Sequence, residues 1–385
     1  MKITKFFALL AGAALAFAGC EPVSEDDNQN NNGGGVETSG NLVLSADKTA
    51  VSLGETVTFT VEQKAEDGAY YDVTSQCVIY INDENFTEVG NKYTFEATGS
   101  YTFFATKGSD NSNNLTIAVL AEMPQLPADP AEDNYAFNHR AVLIDHTGMN
   151  CPYCPAMIDK LMALAETEWH KHYNEVTCHA GNLAGGDPGN SQAANALNRA
   201  QSSYIEGYPN VCVNFHTATI GNYGQSVFLN YMGAALGEYI KKDGADVGIS
   251  LAVAADATQV CCAAEVKSNV SQEYKVVAWL LESGIYSPNQ SGASKDYHKI
   301  YDFALRNISG EYSQSNVSGE EVGVIEAGTK YSCAFELPII STKWMYEHMG
   351  VLVIVSAKDS KGRWEVVNSA YCSVEEGSKP YEYVE

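Results

Sequence analysis

Residues 141–158 read AVLIDHTGMNCPYCPAMI, and this stretch decides the fold of the middle of the chain. Residues 141–145 are a short apolar run of the kind that forms a buried strand, whereas residues 152–171 carry apolar side chains at helical spacing. Cys151 and Cys154 lie where the strand turns into the helix. The sequence therefore predicts a strand that delivers a C-x-x-C pair to the start of a helix.

A cysteine in this position has the properties of a nucleophile. Unpaired N–H groups and the helix dipole stabilise a thiolate and lower its pKa below the ordinary value of about 8.5. Cys151, nearer the helix start and more exposed, is predicted to attack a substrate disulfide, which Cys154 then resolves. Pro152 suits the first helical position, where no N–H is required. Asp145, on the incoming strand, is predicted to accept the proton that Cys154 releases.

A proline further along the chain adds to this pattern. Gly207, Tyr208 and Pro209 precede the next predicted strand. A strand, a C-x-x-C helix and a Gly-x-Pro before a strand together resemble the thioredoxin fold, in which that proline is cis and the backbone before it binds substrate. The resemblance implies that Pro209 is cis and faces the cysteine pair. It also implies that Tyr208, Pro209, Pro152 and Tyr153 contact substrate.

Residues 138–376 also resemble the twenty-eight-kilodalton outer-membrane-protein-related family of Bacteroidetes lipoproteins. The matching residues are the string VLIDHTG leading into CPYCP, the tripeptide GYP, and LLESGI with a later Leu-Arg pair at residues 305 and 306. The resemblance implies an outer-membrane location, a thioredoxin-like domain and a β-rich tail.

Strand-like runs, proline clusters and Gly/Asn-rich stretches divide the chain into segments. We predict a lipoprotein signal peptide (1–19), a lipidated acidic and Asn/Gly-rich tether (20–39), an immunoglobulin-like β domain (40–120), a Pro-rich linker (121–137), a thioredoxin-like domain (138–243), a β-sandwich domain (244–376) and a tail (377–385). The predicted fold class is therefore multidomain: an N-terminal immunoglobulin-like β-sandwich, a central α/β thioredoxin-like domain and a C-terminal β-sandwich. Residues 285–323 form a long Gly/Ser/Asn-rich excursion that either packs over a sheet edge or binds a ligand.

The N-terminus is typical of an exported lipoprotein. A basic start precedes an apolar run at residues 6–18, which is too short to span a bilayer. It ends at Phe17-Ala18-Gly19-Cys20, which resembles a bacterial lipobox, so Cys20 is predicted to carry the lipid that attaches the chain to the membrane. Acidic residues 24–27 resemble the surface-export signal of Bacteroidetes lipoproteins. These features predict an outer-membrane lipoprotein that is exposed at the cell surface. The alternative to the lipobox is an ordinary signal peptide, and the alternative to the export signal is a plain solvated linker.

Charge and motif content exclude several function classes. Lys and Arg total 23 against 48 Asp and Glu, a net charge of −25, which disfavours a nucleic-acid partner. No Walker sequence, dinucleotide fingerprint or Ser-hydrolase elbow occurs, so no cofactor is predicted. A zinc site at Cys151, Cys154, Cys178 and His179 is disfavoured, because consecutive strand residues point to opposite faces.

The other cysteines leave a question of pairing. Setting Cys20 aside leaves nine of the ten cysteines, and an oxidising compartment permits disulfides. The sequence leaves open a structural bridge among Cys261, Cys262, Cys333 and Cys372.

Two function classes stay open. In the first, the protein is a tethered thiol-disulfide oxidoreductase that acts on a protein disulfide or thiol. In the second, it is a surface binding or adhesion lipoprotein in which Cys151 and Cys154 form a structural disulfide.

Overall fold

The computed structural model describes residues 42–384, apart from 66–68, 122, 216, 217, 311 and 315. The predicted signal peptide, the lipidation site Cys20 and the tether lie outside the described residues. Among the helices that are described, none has both the length and the apolar character needed to cross a membrane.

The first block consists of two sheets that enclose one core. Its strands are β1 (Leu42–Ala46), β2 (Ala50–Ser52), β3 (Thr56–Lys64), β4 (Tyr70–Asp72), β5 (Val78–Ile81), β6 (Thr87–Val89), β7 (Lys92–Thr94), β8 (Gly99–Lys107), β9 (Asp110–Asn111) and β10 (Leu115–Leu120). One sheet has the order β1-β3-β4 with β7 beside β3, and the other has the order β2-β10-β8-β5-β6 with β9 beside β8. Alternate residues point inward, and Phe59 of β3 meets Phe103 of β8 in the core. This arrangement is a β-sandwich, as predicted, while its immunoglobulin-like type stays a prediction.

The middle block alternates strands and helices. Its elements are β11 (Ala141–Thr147), α1 (Pro155–Ala165), β12 (Tyr173–His179), α2 (Gln192–Ala200), β13 (Asn210–Val213), β14 (Ala218–Gly221) and α3 (Gln225–Tyr239). β11 pairs in parallel with β12 and antiparallel with β13, which pairs antiparallel with β14. Helices α1 and α3 pack around Leu143 on one face of this sheet, and α2 packs near Ile144 on the other. Side chains at odd-numbered positions of β11 therefore face α1.

Helix α1 begins later than the sequence predicts. Cys154 is its N-cap and Pro155 its first residue, so the prediction that Pro152 occupies the first helical position is wrong. Proline is tolerated only in the first turn of a helix, because it lacks the N–H that an interior position must donate. Pro155 therefore sets the start, and Cys151 lies in the turn before the helix.

The last block is dominated by long strands. They are β15 (Val247–Ala255), β16 (Gln259–Ser268), β17 (Gln272–Glu282), β18 (Ile285–Tyr286), β19 (Ile300–Tyr301), β20 (Ala304–Ile308), β21 (Glu320–Ile325), β22 (Lys330–Pro338), β23 (Met349–Lys358), β24 (Trp364–Ser373) and β25 (Ser378–Lys379). A four-stranded sheet, β22-β16-β15-β25, packs against β17, β23 and β24 around a large apolar core. The block is thus built as packed β-sheets, as expected.

One nine-stranded sheet runs through the middle and last blocks. Its order is β14-β13-β11-β12-β20-β17-β23-β24, with β21 also paired to β17. The two parts join where β12 and β20 pair in parallel, at Thr177 and Ala304. The predicted domain boundary at residue 243 therefore divides strands that belong to one continuous sheet, and the division into two domains stays a prediction.

Candidate functional site

The C-x-x-C pair forms a disulfide that is buried. Cys151 and Cys154 are bonded to each other, and each is only 1% exposed, whereas Tyr153 between them is 65% exposed. Pro152 is also exposed. The prediction that Cys151 is the more exposed cysteine is therefore wrong.

Residues 287–301, which we call the cap, cover the disulfide. The side chain of Gln290 donates from Nε2 to the carbonyl of Cys151 at 3.2 Å, and Ser291 N–H donates to the carbonyl of Met149 at 2.8 Å. Gly292 has φ +73°, and a Cβ added there would lie 2.1 Å from the carbonyl oxygen of Pro152. Only glycine suits such a backbone conformation and so close an approach. The cap therefore packs directly on the turn that carries the two cysteines.

The cap is fastened to α1 through one carboxylate. Oδ1 of Asp159 accepts hydrogen bonds from Nζ of Lys295 at 3.0 Å and from Oη of Tyr297 at 2.6 Å. Nε2 of His298, a side chain that is 2% exposed, lies 3.1 Å from the same oxygen. Partial burial opposes ionisation of Asp159, but these partners together hold its pKa well below the usual range.

Asp145 lies beneath α1 without a hydrogen-bond partner. It is 2% exposed, and its Oδ1 accepts no hydrogen bond from any described residue. Burial raises the pKa of this carboxyl well above its ordinary value, and the nearby charge of Glu175 adds to the shift. Asp145 and Cys154 line the same cavity. The predicted proton-handling residue and one sulfur of the disulfide thus lie on the lining of the same cavity.

Glu175 is a second carboxyl on the same face of the sheet. It pairs in register with Leu143, while Asp145 pairs with Thr177, so the two acids are diagonal neighbours on adjacent strands. Burial and the charge of Asp302 raise the pKa of Glu175 to about 7. Both acids face a cavity of about 340 Å³ between α1 and the cap.

A buried contact between Asp187 and His179 holds the loop before Cys151. Oδ2 of Asp187 accepts from the N–H of Met149 at 2.6 Å and lies 2.9 Å from Nδ1 of His179. The ring of His179 packs against Tyr301 of the cap at a centroid distance of 4.1 Å. Burial favours the neutral acid, yet the bonds from His179 and two backbone N–H groups lower the pKa of Asp187.

The four predicted substrate-contact residues lie in two segments: Pro152 and Tyr153 between the cysteines, and Tyr208 and Pro209 just before β13. The Tyr208–Pro209 peptide bond is cis, as the resemblance implies. Asn210 pairs with His146 of β11, which places Pro209 opposite the end of that strand, from which the chain continues to Cys151. Tyr208 donates from its hydroxyl to Oδ1 of Asn198 at 2.6 Å. Pro152 and Tyr153 lie exposed between the two cysteines, and the role of all four residues in substrate binding stays a prediction.

The remaining cysteines of the described chain are free thiols. The bridge that the sequence left open among the last-block cysteines does not form: Cys261, Cys262, Cys333 and Cys372 are all unpaired. Cys178 and Cys212 are buried, as expected for small apolar side chains in strands. Burial raises the pKa of Cys212 to about 12, which makes it a poor nucleophile at neutral pH.

Sequence reasoning missed Glu175, Asp159 and Gln290. Glu175 carried a detectable signal, since it is an acid within an otherwise strand-like run. Asp159 and Gln290 carried none, because their roles depend on a contact between α1 and a segment more than 130 residues away.

Part of the chain matches the sequence model of a known protein family. Residues 199–376, just under half of the chain, match the family model described as outer membrane protein Omp28. The match includes Pro209 and the cap and begins after the cysteine pair. No curated protein matches the chain in sequence.

Among solved structures, the chain is similar to HBP35 of Porphyromonas gingivalis. The TM-score is 0.52 at 16% identity, over 64% of this chain and 78% of that chain. At this identity the likeness concerns the fold alone. A DUF4785 family protein of Legionella pneumophila (7% identity, TM-score 0.19, 87% of this chain and 56% of that one) and the adhesin InvE of Yersinia pseudotuberculosis (8%, 0.15, 91% and 61%) are too distant in shape to support an argument.

Proposed function

We propose, on the premise of the match between residues 199–376 and the outer membrane protein Omp28 family, that the chain is a lipid-anchored outer-membrane protein that performs thiol-disulfide exchange through Cys151 and Cys154. In this proposal Cys20 carries the lipid, the chain is exposed at the cell surface, and the partner is a protein disulfide or thiol.

The observation that carries the proposal is the unpaired carboxyl of Asp145 beside the disulfide. Burying a carboxyl without a hydrogen-bond partner costs free energy, and the described residues provide Oδ1 of Asp145 with none. Perturbed carboxyls next to a reactive group are a mark of functional sites. A disulfide that only cross-links the chain needs no such neighbour.

The topology of the middle block supports a thioredoxin-like domain at residues 138–243. Four strands have the order β14-β13-β11-β12, with α1 and α3 on one face and α2 on the other. The disulfide precedes α1 at the end of β11, and the cis Tyr208–Pro209 bond precedes β13. These are the relative positions that the resemblance implies.

Exchange would proceed in two displacements. A substrate thiolate attacks Sγ of Cys151, the Cys151–Cys154 bond breaks, and Cys154 leaves with the electron pair and takes a proton from Asp145. A second substrate thiolate then attacks the mixed disulfide and releases Cys151 as a thiolate, so that the substrate is oxidised and the protein reduced. The same steps in reverse reduce a substrate disulfide, with Asp145 accepting the proton of Cys154.

The test compares cysteine variants of the mature protein. We expect the reduced wild type to alkylate rapidly at one thiol near neutral pH and to catalyse the reduction of insulin disulfides. Cys151→Ser abolishes both properties, and the control Cys77→Ser, in the first block, retains both. If Cys151→Ser leaves alkylation and catalysis unchanged, the proposed exchange is wrong.

The burial of the disulfide favours a second candidate function. Because Cys151 and Cys154 are each 1% exposed beneath the cap, they also suit a structural disulfide in a surface binding or adhesion lipoprotein. In that case the wild type neither alkylates rapidly nor catalyses reduction, and Cys151→Ser only lowers the free energy of unfolding, by about 2–5 kcal/mol.

A further inference from the structure

The cavity between α1 and the cap combines apolar walls with an acidic floor. Its volume is about 340 Å³, within the range of about 300–1,000 Å³ that small-molecule sites occupy. Ile158 and Leu161 of α1 form one wall and Phe303 another. Asp145 and Glu175 form the floor, where β11 and β12 lie side by side.

The floor carboxyls have no partner. Oδ1 of Asp145 is buried and accepts no hydrogen bond from the described residues, and Asp145 as a whole is 2% exposed. No described residue forms a hydrogen bond or ion pair with Glu175, and the described lining of the cavity contains no Lys or Arg. A buried carboxylate is stabilised by hydrogen-bond donors and by opposite charge. The charge of Lys160 acts on Asp145, but no described donor contacts either carboxyl, so a ligand with a cationic donor fits the floor.

The rim of the cavity is open to solvent and carries exposed apolar side chains beside Asp302, an exposed acid whose Oδ1 already accepts a hydrogen bond from the N–H of Gly284 at 2.9 Å. Met162 of α1 is 51% exposed and Ile300 of the cap is 42% exposed, and both line the cavity. A ligand that enters between them passes apolar side chains before it reaches the acids. Its charged group therefore lies at the inner end, and its body is apolar.

We propose that this cavity binds a small primary amine with an apolar body, whose ammonium group is held by Glu175 and Asp145 and whose body lies along Ile158, Leu161 and Met162. The three N–H bonds of an ammonium group match two acceptor carboxyls. This site goes beyond the proposed exchange and does not require it, since no step of binding involves a sulfur.

The test is calorimetric titration of the mature protein with hexylamine, hexan-1-ol and hexanoate. We expect hexylamine to bind one to one, at least tenfold more tightly than hexan-1-ol, and hexanoate to show no binding. Glu175→Gln removes the preference for the amine, whereas Glu166→Gln, at the exposed end of α1, preserves it. Equal affinity for the amine and the alcohol, a preference that survives Glu175→Gln, or no heat of binding with millimolar hexylamine would each overturn the proposal.

Nuclear magnetic resonance locates the bound amine. With ¹³C-labelled methyl groups, hexylamine is expected to shift the signals of Met162 and Ile300 and to leave that of Ile340, which is also exposed, in place. A shift of Ile340 alone would contradict the site. The double variant Cys151→Ser/Cys154→Ser is expected to bind hexylamine as the wild type does. Binding without any exchange activity would refute only the proposed function, and exchange without binding would refute only the amine site.

Discussion

Loosening the cap should expose the disulfide, and Asp159→Ala is the change that does so most directly. In the wild type, Asp159 receives the side chains of Lys295, Tyr297 and His298 on one oxygen. The alanine variant removes all three interactions at once and leaves the disulfide itself untouched. Reduction of the disulfide by dithiothreitol is expected to be faster in the variant.

The magnitude follows from the exposure of these groups. The contact with Lys295 joins side chains that are 49% and 33% exposed, so it contributes little, about 0–1 kcal/mol. Tyr297 and His298 donate to an ionised, partly buried acceptor and contribute about 1 kcal/mol each. If the free energy that favours the closed cap falls by about 2–3 kcal/mol, the population of the open state rises roughly 30- to 150-fold, at 1.36 kcal/mol per factor of ten.

The assay is the rate of reduction by dithiothreitol, followed by acid quenching, alkylation and mass spectrometry of the peptide that contains Cys151 and Cys154. When the cap recloses faster than the reagent reacts, this rate is proportional to the open population. The control Glu166→Ala, at the C-terminal end of the same helix, should react at the wild-type rate. Equal rates for Asp159→Ala and the wild type would refute the claim that the cap limits access.

Three further results are expected. Burial and the charge of Asp302 raise the pKa of Glu175 from 4.5 to about 7, so the folded state binds more protons than the unfolded state and loses stability as the pH rises through that interval. In urea denaturation, Glu175→Gln should therefore be as stable as the wild type at pH 4 and about 2 kcal/mol more stable at pH 8. A variant as stable as the wild type at both pH values would contradict the shift. Lys267→Ala should cost about 3 kcal/mol in the same assay, because it removes the buried ammonium 3.0 Å from the carboxylate of Asp129 and leaves Lys330, at 3.6 Å, as the nearest opposite charge. A cost below 1 kcal/mol would show that the pair is dispensable. Asp145→Asn should slow the protonation of Cys154, and hence exchange with a substrate thiol, by about 100-fold. Cys151 in the reduced variant should still alkylate at the wild-type rate. An unchanged rate of exchange would remove Asp145 from the mechanism.

Local pattern was enough to predict most strands and helices. The alternation of apolar Val57, Phe59 and Val61 with polar residues marks β3. Several short strands were not predicted, among them β14 and β20, because runs of four and five residues within loop-like composition give too short a period to detect.

Pairing between distant elements could not be predicted in the same way. The contact of Thr177 with Ala304 makes one sheet of two predicted domains, yet neither residue carries a signal of it, since a strand pattern specifies a buried face and not a neighbour. The position of the cap could not be predicted for the same reason. Residues 285–323 have the composition of a loop, and only the folded chain brings Gln290 and Gly292 into contact with Cys151 and Pro152.

The reduction potential of the Cys151–Cys154 disulfide tests the central claim most directly. The mature protein would be equilibrated in glutathione buffers of graded composition, and the reduced fraction of the pair would be measured by alkylation. Thiol-disulfide exchange predicts a midpoint between about −270 and −120 mV, where known exchange proteins lie. A midpoint below about −300 mV, typical of structural disulfides, would contradict the account and assign the pair to the stability of the fold.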